Sequence, residues 1–129
     1  MIYLKHFNDI NLLENIKLIK GNKNSYKILD GRIMVGVVEL IFDEADIDDY
    51  PIEGNYINIV GLQIIPEYRG KGYSKSFIDK VIELAKTKNI DTIVLDVEKS
   101  NLVANNLYKQ YFRLYKTDGN YNHYFLKIK

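Results

Sequence analysis

The chain has 129 residues, 47% hydrophobic and 27% charged, which suits one compact domain over residues 1–129 and excludes a disordered or low-complexity chain. It has no cysteine, so disulfides, cysteine nucleophiles and thiolate metal sites are excluded. Its two histidines, His6 and His123, lack metal-ligand spacing, and no metal is expected. The formal net charge of +1 is unevenly spread: residues 1–55 hold 6 Lys+Arg against 10 Asp+Glu, and residues 56–129 hold 12 against 7. The basic half suits a polyanionic small molecule, while the low overall charge argues against a nucleic-acid partner.

Met1 to Lys5 reads as a short strand with Ile2 and Leu4 on one face. The opening segment MIYLKHFNDI has no signal-peptide core, and no apolar run approaches the roughly 20 residues that span a bilayer. A cytoplasmic location with no membrane partner is therefore expected. Asn8 or Asp9 caps a predicted helix through Ile10, Leu13, Ile16 and Lys17, which ends before Gly21-Asn22. Ser25–Leu29 and Arg32–Phe42 are predicted strands joined at Asp30-Gly31, a hairpin signal, with Gly36 marking a bulge or a close backbone contact. Residues 43–54, DEADIDDYPIEG, are a loop by composition: either a solvated connection or an acidic lip for a cationic amine.

Ile57 to Ile65 is an apolar, β-branched run and reads as a buried strand, closed by Pro66. After Arg69-Gly70-Lys71-Gly72-Tyr73-Ser74 comes a helix, because Phe77, Ile78, Val81, Ile82 and Ala85 recur on one face. Strand, basic glycine turn and helix together make an anion site. Gly70 and Gly72 let the backbone approach a ligand, and the first N–H groups of the helix lack intrahelical partners. The helix dipole and Arg69, Lys71 and Lys75 add positive charge, so a pyrophosphate suits the turn. The P-loop pattern is absent, and Phe77 stands where the dinucleotide fingerprint wants a small residue. Beyond it, Asp91–Val97 is a predicted strand, and Asn101–Phe112 a helix with Val103, Ala104, Leu107, Tyr108 and Tyr111 on its apolar face. Leu114–Lys116 and Asn120–Ile128 form a closing hairpin around Asp118-Gly119. The order β-α-β-β-β-α-β-α-β-β predicts an α/β or α+β domain built on a mixed sheet with helices on its faces.

Two stretches resemble the GNAT superfamily of acyl-CoA-dependent N-acyltransferases. Leu62-Gln63-Ile64-Ile65-Pro66 followed by Arg69-Gly70-Lys71-Gly72-Tyr73-Ser74 is similar to its motif A, with Ser74 where glycine or alanine is usual. Asn101, Ala104, Leu107, Tyr108 and Phe112 match a second pattern, with Tyr111 in place of its glycine. The resemblance covers about Ile57 to Phe125. It implies a central, mostly antiparallel twisted sheet with a splayed parallel strand pair, acetyl-CoA as co-substrate and a primary amine, small molecule or peptide, as acceptor. It also implies direct attack on the thioester; a homodimer is compatible with it.

The resemblance further implies that the backbone of Leu62 and Ile64 pairs with pantetheine. Residues 70–74, with Arg69, hold the pyrophosphate, and Asn101 contacts the pantetheine arm. The N–H of Ile64 is the expected oxyanion donor and Tyr108 the general acid, with a phenol pKa near its ordinary value of about 10. Asp96 is the first candidate for general base, ahead of Glu98 and Asn58; Glu98 shares its sheet face by the two-residue period. Tyr50, Tyr56, Tyr121 and Tyr124 are expected to favour a cationic acceptor. The alternative is a non-catalytic CoA-binding module of the same fold, supported by the two departures at Ser74 and Tyr111.

Overall fold

The computed structural model describes residues 15–44 and 54–128. Seven strands and two helices occur among them: β1 Ile16–Lys20, β2 Ser25–Asp30, β3 Ile33–Glu44, β4 Asn55–Ile64, α1 Tyr73–Thr87, β5 Thr92–Glu98, α2 Leu102–Tyr108, β6 Arg113–Asp118 and β7 Tyr121–Lys127. The strands form one mixed sheet in the order β1-β2-β3-β4-β5-β7-β6. The chain divides into two compact units, residues 1–39 with 61–83 and residues 40–60 with 84–129.

In the first unit, β1 corrects the sequence reading. Ile16 and Lys17 were expected at the end of a helix; they start a strand that pairs antiparallel with β2, Ile16 opposite Asp30 and Lys20 opposite Tyr26. The tight connection drives this. Gly21 N–H donates to Ser25 O at 2.8 Å, Ser25 N–H to Asn22 O at 3.0 Å, and Lys23 takes a positive φ of 52°. The chain thus folds back on itself, and pairing with β2 buries Ile16 completely. The expected Met1–Lys5 strand and the Asn8/Asp9 cap lie outside the described residues.

The β2–β3 hairpin turns at Asp30-Gly31 as read, with Gly31 at φ 61°. Both readings of Gly36 hold. Ile28 pairs with Gly36 and Leu29 with Met34, so Val35 is an extra residue on β3, a bulge. A Cβ on Gly36 would lie 2.6 Å from Gln63 O, and Ile65 N–H donates to Val35 O at 2.8 Å. Only a glycine permits so close an approach of the two backbones.

In the second unit, Tyr56–Ile59 of β4 pair in parallel with Thr92–Leu95 of β5. That register is four residues long, while β4 runs on to Ile64 and β5 to Glu98. Gly61, two residues past the last paired position and the first residue of β4 that belongs to the first unit, sits at φ 64°. Residues 92–95 of β5 are all buried, and β7 flanks β5 antiparallel from Thr92↔Lys127 to Glu98↔Tyr121. Asn89, at φ 61°, ends α1 with Ile90 N–H bonded to Ala85 O at 2.8 Å, a left-handed C-cap.

The second helix is shorter than read. It stops at Tyr108, and residues 110–112 continue as tight turns: Gln110 N–H bonds Leu107 O, and Tyr111 and Phe112 N–H both reach Tyr108 O. Tyr111, in the glycine position of the resembled pattern, does not take a positive φ. A β-carbon makes a left-handed cap costly, so the helix closes instead with i→i−3 bonds from Gln110 and Tyr111 and an i→i−4 bond from Phe112.

Candidate functional site

The basic turn lies in the first unit. Pro66–Tyr68 make a short 3-10 turn after β4, and Gly70 and Gly72 follow at φ 76° and 88°, both in the left-handed region. A Cβ on Gly70 would meet nothing within 4 Å, so the glycine faces open space and not a packed neighbour. The first turn of α1 contains no acidic residue, and Arg69, Lys71 and Lys75 are exposed around it. Helix N–H groups that lack intrahelical partners, positive charge and open approach fit a pyrophosphate.

Side chains hold this turn from several sides. Arg69 Nε donates to Ile64 O at 2.9 Å, so this arginine braces the strand end as well as carrying charge. The Tyr73 hydroxyl donates to Asp30 Oδ2 at 2.5 Å, which pushes its pKa up to about 12, with burial and the Asp30 charge adding to the shift. The phenol of Tyr73 is thus committed to the β2–β3 hairpin, and its backbone N–H is the group left to serve an anion. Tyr68 meets Tyr73 edge to face at 6.3 Å between centroids, and Lys71 Nζ lies 5.8 Å above the Tyr68 ring. Ser74 is half-buried in the first turn of α1, where its small side chain leaves the N–H groups approachable. Leu62 is half-buried and Ile64 buried, both on β4.

The second unit carries the remaining candidates. Tyr108 is buried at the end of α2, its ring edge to face with Phe112 at 6.1 Å and tilted against Tyr124 at 6.3 Å. Among the described residues its hydroxyl has no hydrogen-bond partner, and burial raises its pKa above the ordinary tyrosine value expected from sequence. Asn101 caps α2: its Oδ1 accepts from Ala104 N–H at 3.1 Å, and its amide NH2 takes no part in the cap.

Asp96 stands directly opposite His123 on β7, with Oδ1 2.5 Å from Nδ1. The Asp96 side chain is 45% exposed and that of His123 only 9%. Strand alternation puts Asp96, Glu98 and His123 on one face of the sheet, and Leu95, Val97, Asn122 and Tyr124 on the other, where the Tyr108 ring packs. Asn58, opposite Val94, falls on the Asp96 face. Two tyrosines read as acceptor-facing are instead core: Tyr124 is 0% exposed and Tyr56 9%, while Tyr121 is exposed. Tyr50 lies outside the described residues.

The model of the Acetyltransferase (GNAT) family matches residues 8–112. The chain belongs to this family. Its fold is that of several solved GNAT proteins. The PaiA N-acetyltransferase of Thermoplasma acidophilum, in complex with coenzyme A, aligns with a TM-score of 0.64 at 22% identity, over 96% of this chain and 70% of that one. NAA60 of Arabidopsis thaliana with acetyl-CoA gives 0.61 at 20% identity, over 80% and 74%. The N-acetyltransferase PseH of Campylobacter jejuni gives 0.62 at 20% identity, over 97% and 79%. No curated protein matches the sequence. Among the described residues, no group of three His, Asp or Glu is placed to hold a metal, and no helix is long and apolar enough to cross a membrane.

Within this GNAT chain the sequence reading missed three side chains. Asp30, Asn105 and His123 are each defined by a partner distant in sequence, Tyr73, Tyr124 and Asp96 respectively. The DG turn, helical periodicity and strand alternation are local signals, and none of them carries such a pairing.

Proposed function

We propose that this GNAT protein transfers an acetyl group from acetyl-CoA to a primary amine, of a small molecule or a peptide, by direct attack on the thioester. The observation that carries the reading is the turn at residues 69–74, with two left-handed glycines and exposed cations at the N-terminus of a fifteen-residue helix. CoA complexes among proteins of the same fold support it. The thioester supplies the activated acetyl group. Backbone N–H groups of residues 70–74 hold the pyrophosphate, backbone groups of Leu62 and Ile64 pair with the pantetheine arm, and Asn101 is assigned a hydrogen bond to the same arm. The Ile64 N–H stabilises the tetrahedral oxyanion. As the carbon–sulfur bond breaks, Tyr108 gives its proton to the departing thiolate and regains one from solvent. That phenol is protonated at neutral pH, as any tyrosine is, and burial shifts its pKa further in the same direction. The attacking ammonium loses its proton to Asp96 through water, since that carboxylate lies on the sheet face opposite the one on which Tyr108 packs.

Calorimetric titration with acetyl-CoA, alongside thiol release over a panel of amines, tests this reading. Wild type binds and turns over; Gly72→Trp loses binding because the indole fills the approach to the turn. Tyr108→Phe keeps binding and slows turnover by about 100-fold. No binding by wild type would end the enzymatic reading, and unchanged turnover in Tyr108→Phe would remove Tyr108 from it. A second reading, a CoA-binding module without catalysis, is favoured by one observation: the Asp96 carboxylate is already engaged by His123. It predicts saturable CoA binding with no thiol release across the whole panel.

A further inference from the structure

Asn105 lies one turn before Tyr108 in α2 and is 4% exposed. Its amide uses its full hydrogen-bonding capacity. Nδ2 donates to Glu98 O at 3.0 Å and to Asn101 O at 2.8 Å. Oδ1 accepts from Asn122 Nδ2 at 2.8 Å and from the Tyr124 hydroxyl at 2.6 Å. Two donors face two carbonyls, which can only accept, so the amide orientation is fixed. Asn122 is oriented in turn, since its Oδ1 accepts from Thr117 Oγ1 at 2.8 Å.

One buried side chain therefore joins the end of β5, the N-cap of α2 and two alternate positions on β7, Asn122 and Tyr124. The consequence for the tyrosines is asymmetric. Tyr124 spends its hydroxyl on Asn105 and offers its ring as a seat for Tyr108. Tyr108 keeps its hydroxyl uncommitted among the described residues. Two phenols pack together, and Asn105 distinguishes them.

We propose that Asn105 is the positioning residue that holds Tyr108 for proton donation and withholds Tyr124 from it. The proposal rests on the acyl-transfer reading above for its catalytic meaning, but the positioning itself is measurable without turnover. Carbon-13 labelling at Cζ of tyrosine lets NMR follow each phenol through its titration, and thiol release gives kcat and the acetyl-CoA KM. In Asn105→Leu, which keeps the number and branching of heavy atoms but makes no hydrogen bond, α2 loses its tether. The Tyr108 titration moves down toward about 10 as its ring gains water. Turnover falls about 10- to 100-fold with KM for acetyl-CoA little changed, and the alkaline limb of the kcat profile moves with the phenol. Tyr124→Phe removes one of the four bonds and keeps the ring, so the Tyr108 titration and kcat stay close to wild type.

A Tyr108 titration and kcat unchanged in Asn105→Leu would overturn the proposal. So would a loss in Tyr124→Phe as large as that in Tyr108→Phe, an arm that stands even if Asn105→Leu does not fold. If wild type releases no thiol with any amine, the catalytic reading fails separately. The NMR titration then decides the positioning claim: a shift in Asn105→Leu supports it, and no shift overturns it.

Discussion

At the scale of single residues, the Tyr73–Asp30 pair has a defined pH signature. The folded protein favours the protonated phenol, because that form donates to the Asp30 carboxylate and its anion would face a like charge. The pair's stabilisation is therefore fully present below the unfolded tyrosine pKa of about 10. It is lost as pH rises from there through about 12. Tyr73→Phe is expected to cost about 1–2 kcal/mol at pH 7, since a hydrogen bond to a charged group is stronger than a neutral one. Urea unfolding of both proteins at pH 7, 9 and 11 checks this: the gap holds between 7 and 9 and narrows by 11. A gap that stays constant to pH 11 would mean the ring, packed edge to face on Tyr68, contributes and the hydroxyl does not.

At the scale of elements, the contrast between two glycines separates two physical costs. Gly36 has an ordinary backbone conformation but no room, since a Cβ would sit 2.6 Å from the Gln63 carbonyl. Gly31 has room but a φ of 61°. Gly36→Ala must push two backbones apart at the bulge and is expected to destabilise by about 1–3 kcal/mol. Gly31→Ala pays only for the left-handed conformation, about 1 kcal/mol. Chemical denaturation orders them, and equal losses would show that β3 shifts freely at Val35–Gly36. The strands and turns with local chemistry were legible in the sequence: Asp30-Gly31, Pro66, Asp118-Gly119 and the apolar face of α1 all fall where they were read. The segment IKLIK was not, because a short apolar run fits helix and strand alike and its partner β2 decides the matter. The end of α2 was misread for a related reason. Periodicity continues through Tyr111, while the backbone has already turned at Tyr108.

At the scale of the whole molecule, binding must appear as stability, because a ligand that binds only the folded chain shifts its unfolding. Acetyl-CoA at about 100 times its dissociation constant adds about 2.7 kcal/mol, roughly 10 °C in Tm for a chain of this length. The glycine turn was legible in the sequence because backbone geometry and charge both act locally there; how they share the binding was not, and salt separates them. Arg69, Lys71 and Lys75 are exposed, so their attraction for phosphate is screened as ionic strength rises from about 0.05 to 0.5 M. The N–H groups of the turn act at contact distance and are screened far less. A thermal shift that shrinks only partly in high salt, and vanishes in Gly72→Trp at any salt, places most of the binding in the backbone turn. A shift abolished by salt alone would place it in the three side chains, and Arg69, braced against Ile64 O, would then be the first residue to substitute.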